Sequence, residues 1–423
     1  MSPTSRGLAV AAMCCSLATS GRAQTSAEIF GRYAERVVKL QVSETGSGGK
    51  ASLGTAFFVS ADGLLITNYH VVAAVLREPD RYEARWLDQA GADHPATVLD
   101  IDVVSDLALL DTGASPAGFF ALGSSPLPKG IKLYSLGHPQ DLGLSIVEGT
   151  YNGLLEHTLY PKIHFTGPLN PGMSGGPALL ENGTVVGVNV ATGGNSVSFL
   201  VPAAAARELV ERVERSPPDP DRDLLEEAGR QLLANQERYL ARLFADDAHP
   251  IRLGPFELPT QPADFFRCWG DADRDPDTPY ERVIHRCSTD DYLFLTEDQS
   301  SGIVTLAHTV LTSRRLNPAR FYSLYSAVFT ASTQDDALLV SDDLGERQCH
   351  TGNLKQGGMV LRTIFCIRAY RRFPGLYDAS VTAAALGARD VGVVSTLEVS
   401  GVSFPNAERI AREFLSRLRW APR

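Results

Sequence analysis

Residues 38–201 consist of short apolar or alternating runs that Gly, Pro and Asn interrupt, and this pattern limits the fold more than any other feature. Five such runs are Gly54–Ser60, Leu64–Asn68, Leu107–Leu110, Lys132–Leu136 and Thr184–Val190. Strands this short, with turn residues between them, predict an all-β barrel or sandwich.

Two helical patterns flank this region. Thr25 and Glu28 have the spacing of a capping box, and apolar residues continue from there at helical spacing, which predicts a short entry helix. Residues 202–215 predict a closing helix with one apolar face, formed by Ala206, Leu209, Val210 and Val213. We therefore place the first domain at residues 24–215.

Residues 1–23 have the pattern of a secretory signal peptide. Arg6 supplies a basic start, residues 7–17 are small and apolar, and Gly21 and Ala23 are small residues at the cleavage positions. We predict cleavage after Ala23 and an exported protein, either periplasmic or secreted. The alternative is an N-terminal helix that stays on the protein.

A proline- and acid-rich stretch, residues 216–223, ends the first domain because it can continue neither a helix nor a strand. Residues 216–250 are predicted to be this linker followed by an amphipathic helix, whose stripe is Leu224, Leu225, Ala228, Leu232, Tyr239, Leu240 and Leu243. We expect this helix to pack on the C-terminal domain or to join the two domains. Residues 251–423 are predicted to form an α+β domain of unknown role.

The C-terminal domain shows a faint internal duplication, with halves at 251–335 and 336–423. Each half has two cysteines, two strand-like runs and then a helix. The runs are Tyr292–Thr296 and Gly302–Val310 in the first half, and Tyr377–Ala383 and Gly392–Val399 in the second. Chance similarity among short strands is the alternative.

The cysteines of the two halves are Cys268 with Cys287 and Cys349 with Cys366. An even number of cysteines in an exported protein predicts disulfides, and we expect one bridge within each half, stapling a hairpin. Reduced, buried thiols are the alternative. The spacing is not a CxxC metal pattern, so we expect neither a metal nor a cofactor.

Composition excludes several classes of protein. Hydrophobic residues make up 44% of the chain and charged residues 21%, which is enough apolar material for filled cores. The net charge of −10 disfavours binding to nucleic acid or to an anionic membrane, because both attract basic patches. No apolar run after residue 25 approaches the ~20 residues needed to span a bilayer, so no transmembrane segment is expected.

The strongest chemical signal is the segment Asn170–Pro177, which contains Gly172, Ser174, Gly175 and Gly176. Hydrolysis of an amide through a serine needs a tightly held hydroxyl and backbone N–H groups directed at the developing oxyanion. Gly172 can place its N–H beside that of Ser174 without a Cβ in the way. The segment predicts a nucleophile at Ser174, although Gly-x-Ser-Gly-Gly also occurs in ordinary loops.

His70 follows the apolar run that begins at Leu64, so it is predicted to end a strand, where a general base can be held rigidly. Asp102 and Asp106 precede the apolar run at Leu107, and chemistry alone allows either one to orient an imidazole. A structural histidine and an ordinary turn aspartate are the alternatives. The order His, Asp, Ser is that of chymotrypsin-type enzymes.

With these motifs in order, residues 29–204 resemble an HtrA-like (Deg-like) trypsin-family protease domain. The matching stretches are Gly54–Val59, Leu65–Val72, Ser105–Leu110, Leu136–Pro139, Ser145–Gly149, the Ser174 segment, Val188–Asn189 and Ser198–Pro202. The resemblance implies a chymotrypsin-like double six-stranded barrel with the active site between the barrels. It also selects Asp106, because the catalytic aspartate of the family directly precedes Leu-Ala-Leu-Leu.

The resemblance implies a serine endopeptidase that acts on protein or peptide substrates through an acyl-enzyme. His70, Asp106 and Ser174 would form the triad, and the N–H groups of Gly172 and Ser174 the oxyanion hole. Pro168, Val190, Ala191 and Thr192 are predicted to line a neutral substrate pocket. The alternative is an inactive protease-fold scaffold whose C-terminal domain binds a protein or envelope partner.

The chain departs from the family in two places. Met173 stands before the serine, where digestive enzymes carry an aspartate that pairs with a new N-terminus, so activation by that salt bridge is not expected. Residues 224–423 contain no Gly-Leu-Gly-Phe-type carboxylate loop, so PDZ peptide binding, trimerisation and chaperone activity are not carried over. The sequence leaves the oligomeric state open.

Overall fold

The computed structural model describes residues 24–422 except 125, 195, 244–249, 261–262, 335–342 and 388. The signal peptide predicted at residues 1–23 lies outside this range. None of the helices that the described residues form has the length and apolar character needed to cross a bilayer.

Two closed, antiparallel, six-stranded barrels form the first domain, as the short-strand pattern and the resemblance predict. The first barrel has the order β1-β2-β3-β6-β5-β4, with β1 (Val37–Glu44), β2 (Lys50–Phe58), β3 (Leu64–Thr67), β4 (Tyr82–Leu87), β5 (Asp93–Asp102) and β6 (Leu107–Asp111). The second has the order β10-β11-β12-β9-β8-β7, with β7 (Lys132–Gly137), β8 (Ser145–Leu154), β9 (Ile163–Phe165), β10 (Pro177–Leu179), β11 (Val185–Gly194) and β12 (Val197–Pro202).

Three helices accompany the barrels: α1 (Ser26–Tyr33), α2 (Tyr69–Arg77) and α3 (Ala203–Arg215). The capping box predicted at α1 is present, because Thr25 and Glu28 exchange hydrogen bonds between side chain and backbone. Helix α3 buries the predicted face of Ala206, Leu209, Val210 and Val213. We call residues 24–215 the barrel domain.

The C-terminal domain is built on a seven-stranded antiparallel sheet with two helices, α5 (Pro318–Gln334) and α6 (Phe404–Ser416). The sheet order is β15-β16-β19-β23-β22-β21-β20, with β15 (Phe266–Asp273), β16 (Tyr280–Thr289), β19 (Val304–Ser313), β20 (Gln348–Gln356), β21 (Met359–Ala369), β22 (Tyr377–Ala385) and β23 (Val391–Val402). Smaller sheets hold β13 (Ile251–Leu253), β14 (Phe256–Leu258), β17 (Leu293–Phe294), β18 (Ser300–Ser301) and β24 (Arg419–Trp420).

The four cysteines occupy the two outer hairpins of this sheet. Cys268 lies directly opposite Cys287 on β15 and β16, and Cys349 lies opposite Cys366 on β20 and β21. Both pairs have their sulfurs at bonding distance. Each bridge therefore staples one hairpin, and the two hairpins lie at opposite edges of the sheet.

Helix α4 (Leu224–Leu243) connects the two domains. Its first half places Ala228 and Leu232 in a core shared with the first barrel, whereas Tyr239 and Leu240 lie in the core of the C-terminal sheet. The shared core also contains Leu293, Leu295, Leu344, Tyr370, Phe373 and Leu376 of the C-terminal domain. The domains are thus fused by apolar packing rather than joined by a free linker.

Candidate active site

His70 and Asp106 form a buried pair at the edge of the first barrel. The imidazole Nδ1 lies 2.7 Å from Oδ2 of Asp106, and the backbone N–H of His70 donates to Oδ1 at 2.9 Å. The strand β3 ends at Thr67, so His70 lies in the first turn of α2 and not at a strand end as the sequence predicted. The carboxylate consequently holds the imidazole and also satisfies an N–H at the helix start.

The backbone at Asp106 adopts the left-handed conformation, with φ of 55°. Asn68, the residue before α2, donates from its side-chain amide to the Asp106 carbonyl at 2.8 Å and so holds this turn in place. Asp102 instead accepts from the N–H of Ser105, within its own turn. The structure therefore pairs the imidazole with Asp106 rather than Asp102, the two candidates that residue chemistry left open.

Two effects act on the imidazole in opposite directions. Burial acts to lower the pKa of His70, but the charge and hydrogen bond of Asp106 raise it, assisted by the charge of Glu297, and the pKa lies above its ordinary value. Because Nδ1 is bonded to Asp106, Nε2 is the nitrogen left to act on a neighbouring hydroxyl.

Ser174 follows a tight turn whose residue types are those that the turn geometry requires. The N–H of Met173 donates to the carbonyl of Asn170 at 3.0 Å, and Gly172 has φ of 91°. Pro followed by Gly at the two central positions is the sequence of a type II turn, which needs positive φ at its third residue. The side chain of Met173 is buried in the core of the second barrel with Leu133 and Phe165.

Thr55 on β2 clamps this loop from the side of the first barrel. Its hydroxyl donates to the carbonyl of Gly172 at 2.7 Å and accepts from the N–H of His138 at 3.0 Å. Its backbone N–H donates to the carbonyl of Ser174 at 2.8 Å. From the opposite side, Asn189 donates from its side chain to the carbonyl of Met173. The serine loop is therefore held between β2 and β11.

The peptide between Pro171 and Gly172 has a defined orientation. Its carbonyl accepts from the N–H of Gln140 at 2.8 Å, so in a trans peptide the N–H of Gly172 points to the other side. A Cβ at Gly172 would lie 2.3 Å from the carbonyl of His138, which explains why this position requires glycine. Among the described residues, neither this N–H nor that of Ser174 donates to a protein acceptor.

The loop and the histidine meet at Gly54. A Cβ on Gly54 would lie 2.7 Å from the side chain of Val71 and 3.3 Å from the Ser174 carbonyl. After the serine, a Cβ on Gly175 would lie 3.0 Å from the backbone nitrogen of Asn68. The serine loop thus packs against the corner between β3 and α2 that carries His70. Within the described residues, no hydrogen bond joins Ser174 to His70.

Of the four residues predicted to line the substrate pocket, the structure describes the side chains of Pro168 and Val190. Pro168 is exposed, whereas Val190 is buried and lines a cavity of about 580 Å³ between the two domains. The side chains of Ala191 and Thr192 lie outside the described residues. Phe199 and Phe294 line the same cavity, and the sequence did not point to either.

The sequence also missed two residues that hold the site together, Thr55 and Asn68, and one that contacts it, Phe294. Thr55 and Asn68 are ordinary strand and cap residues in the sequence, and their roles come from hydrogen bonds to distant loops. Phe294 belongs to the C-terminal domain, and its ring centroid lies 4.6 Å from that of His70. No local pattern could have signalled this contact.

One cluster of metal-ligating residue types occurs in the described part of the chain, at Cys268, His285 and Cys287. The two sulfurs bond to each other, so neither is a thiolate that could ligate a metal. Residues 24–243 contribute no member to this cluster.

Comparisons with known proteins agree with this geometry. Residues 54–188 match the family described as "Trypsin-like peptidase domain". A probable periplasmic serine endoprotease DegP-like of Pseudomonas fulva is 31% identical over 202 residues, covering 44% of this chain and 41% of the relative. The barrel domain is similar in sequence to HtrA-like, trypsin-type protease domains. The mitochondrial serine protease HTRA2 of Bos taurus is 30% identical over 213 residues, covering 47% of this chain and 45% of the relative.

The similarity of the barrel domain to these two relatives covers less than half of each chain. A solved structure, "HtrA-type protease AlgW with tripeptide", aligns with 25% identity and a TM-score of 0.41, covering 46% of this chain and 65% of the other.

Proposed function

We propose that this chain is an exported serine endopeptidase that hydrolyses peptide bonds in protein substrates through an acyl-enzyme. The observation that carries the proposal is the buried pair of His70 and Asp106 at 2.7 Å, packed beside the Ser174 loop in an HtrA-like domain. In a catalytic triad the carboxylate orients and stabilises the imidazole, and the imidazole takes the proton of the serine hydroxyl.

The reaction follows from the free nitrogen of the imidazole. Ser174 Oγ attacks the scissile carbonyl while Nε2 of His70 takes its proton, and Asp106 stabilises the imidazolium that forms. The N–H groups of Gly172 and Ser174 hold the oxyanion of the tetrahedral intermediate. Nε2 then protonates the leaving amine, and water hydrolyses the acyl-enzyme by the same steps in reverse order.

The serine loop is proposed to be ordered without zymogen cleavage. Met173 occupies the position of the aspartate that pairs with a new N-terminus in digestive enzymes, and its side chain is buried among apolar residues. This packing, together with the hydrogen bonds from Thr55 and Asn189, stabilises the loop in the intact chain.

Export is supported by chemistry as well as by the relatives. Two cysteine pairs at bonding distance fit an oxidising compartment, where disulfides persist. DegP-like relatives of Pseudomonas fulva and Chlamydia pneumoniae are named as periplasmic. We therefore propose that the mature protein acts in the periplasm or after release from the cell.

The decisive experiment is active-site labelling of the mature protein with a fluorophosphonate probe, alongside digestion of an unfolded protein substrate. We expect labelling and digestion by the wild type, and neither by Ser174→Ala. Ser332→Ala is a matched control, because Ser332 lies on α5 and, among the described residues, donates its hydroxyl to the Val328 carbonyl of its own helix. Labelling that persists in Ser174→Ala, or a wild type that neither labels nor digests, would contradict the proposal.

A further inference from the structure

A short hairpin of the C-terminal domain lies across the proposed active site. We call residues 290–301 the cleft hairpin; it contains the paired strands β17 and β18. Phe294 on β17 places its ring 4.6 Å from the His70 imidazole, centroid to centroid, with the planes inclined by 40°. The same ring packs on the apolar core of the barrel domain that includes Val190.

The cleft hairpin is anchored to both barrels. On the side of the second barrel, the buried carboxylate of Asp291 accepts from the N–H of Leu159 at 2.5 Å and lies 3.4 Å from the ammonium of Lys162. On the side of the first barrel, Glu297 accepts from the hydroxyl of Ser52 at 3.0 Å. Leu293 and Leu295, on either side of Phe294, are buried in the core shared with the first barrel.

These anchors indicate that the cleft hairpin is a fixed wall of the site and not a movable lid. A lid needs few buried apolar contacts so that it can open at low free-energy cost. The cleft hairpin buries two leucines and one carboxylate against the barrel domain, so displacing Phe294 requires that these contacts break. Phe294 is therefore a standing part of the groove in which a substrate would lie.

The faint duplication gives this segment a counterpart in the second half of the C-terminal domain. The run Tyr292–Thr296 corresponds in the sequence to Tyr377–Ala383, which is part of the nine-residue strand β22. Within the run Tyr292–Thr296, only Leu293 and Phe294 form a strand, and β16 pairs directly with β19. The segment that could have filled the sheet instead reaches the barrel domain.

The position of Phe294 determines which substrate side chain it meets. Successive side chains of an extended peptide point to opposite faces. The residue before the scissile bond carries the carbonyl that Ser174 attacks, and when its side chain faces away from the imidazole, the side chain of the residue preceding it faces the imidazole. One face of that imidazole is already covered by Phe294.

We propose that Phe294 is a specificity-determining residue that restricts the second position before the scissile bond to small side chains. The inference rests on the proposed endopeptidase function and deepens it. A Gly, Ala or Ser side chain fits beside the covered imidazole, whereas a Leu or Phe side chain at that position overlaps the Phe294 ring. Tyr292 and Phe294 also line the cavity of about 580 Å³ between the two domains.

The test is a cleavage profile of a peptide library by the mature protein, followed by kinetics on paired peptides that differ only at this position. For wild type, we expect kcat/KM to be at least ~10-fold higher with Ala than with Leu, since steric rejection in such sites gives roughly 10- to 200-fold discrimination. In Phe294→Ala the ratio should fall to about 2 or less, mainly because the Leu peptide improves. Phe294→Val should lie between the two.

The matched control is Phe404→Ala, which removes another partly exposed phenylalanine of the same domain. Phe404 packs edge-on against Tyr377 and should leave the Ala/Leu ratio unchanged. An unchanged ratio in the Phe294 variants, or an equal gain or loss for both peptides, would overturn the inference while leaving the protease intact. A wild type that cleaves no library peptide would instead contradict the proposed function itself.

Discussion

Thr55→Val removes one buried hydroxyl that links the serine loop to the first barrel, at almost constant side-chain volume. Thr55 is fully buried, and its hydroxyl serves both the carbonyl of Gly172 and the N–H of His138. The valine leaves both groups without their partner. Since a buried unpaired polar group costs roughly 1–3 kcal/mol, we expect unfolding free energy to fall by about 2–4 kcal/mol.

The same substitution should lower kcat more than it changes KM. The Gly172 peptide is no longer held from its carbonyl side, so the N–H proposed to bind the oxyanion shifts. Complete loss of such a donor lowers kcat by roughly 10²–10³-fold. Misplacement is a partial loss, and we therefore expect a decrease of about 10–100-fold.

The assay is steady-state hydrolysis of a fluorogenic peptide that the wild type cleaves, with a denaturant melt of each variant. Thr305→Val is the control, because Thr305 is also buried and hydrogen-bonded but contacts Ser288 in the C-terminal sheet. It should lose stability without losing kcat. If Thr55→Val keeps wild-type kcat, or if both variants lose activity only in proportion to unfolded protein, the reasoning about the loop is wrong.

Three further outcomes are expected. Asp106→Asn should lower kcat by about 10⁴-fold, as loss of the aspartate does in chymotrypsin-type triads, whereas the kcat of Asp102→Asn should stay near that of wild type. Equal losses in the two variants would contradict the assignment of Asp106 as the triad aspartate. The acidic limb of the pH profile of kcat/KM should lie above pH 6.5, because the raised pKa of His70 means that a higher pH is needed to deprotonate Nε2. Glu297→Gln removes a charge that raises this pKa, so the acidic limb should move to lower pH, and the shift should be smaller at high salt. A shift to higher pH would refute the charge effect. Residues 24–215 expressed alone should melt at a lower temperature than the mature chain, or aggregate, because the fragment exposes the core that it shares with Leu293, Phe373 and other C-terminal residues. Burial of each large apolar side chain contributes roughly 1.5–3 kcal/mol to the free energy of unfolding. An equally stable fragment would contradict the shared core.

Features that depend on neighbouring residues were predictable from the sequence. The capping box of α1, the apolar face of α3 and the short barrel strands all follow from side-chain periodicity or from capping chemistry. The pairing of cysteines within each half was also predicted, and the structure places both pairs at bonding distance. These properties are set within a few residues or by a repeated pattern.

Only the tertiary structure decided which groups surround the imidazole. Residue chemistry left Asp102 and Asp106 equivalent and only the family resemblance favoured Asp106, whereas the structure shows the backbone turn, held by Asn68, that directs Asp106 to His70. His70 was predicted at a strand end, but α2 begins at Tyr69 and includes it. The cleft hairpin places the Phe294 ring against the His70 imidazole. Contacts between segments this far apart in the chain depend on how whole elements pack, and apolar packing is non-directional, so no local pattern encodes them.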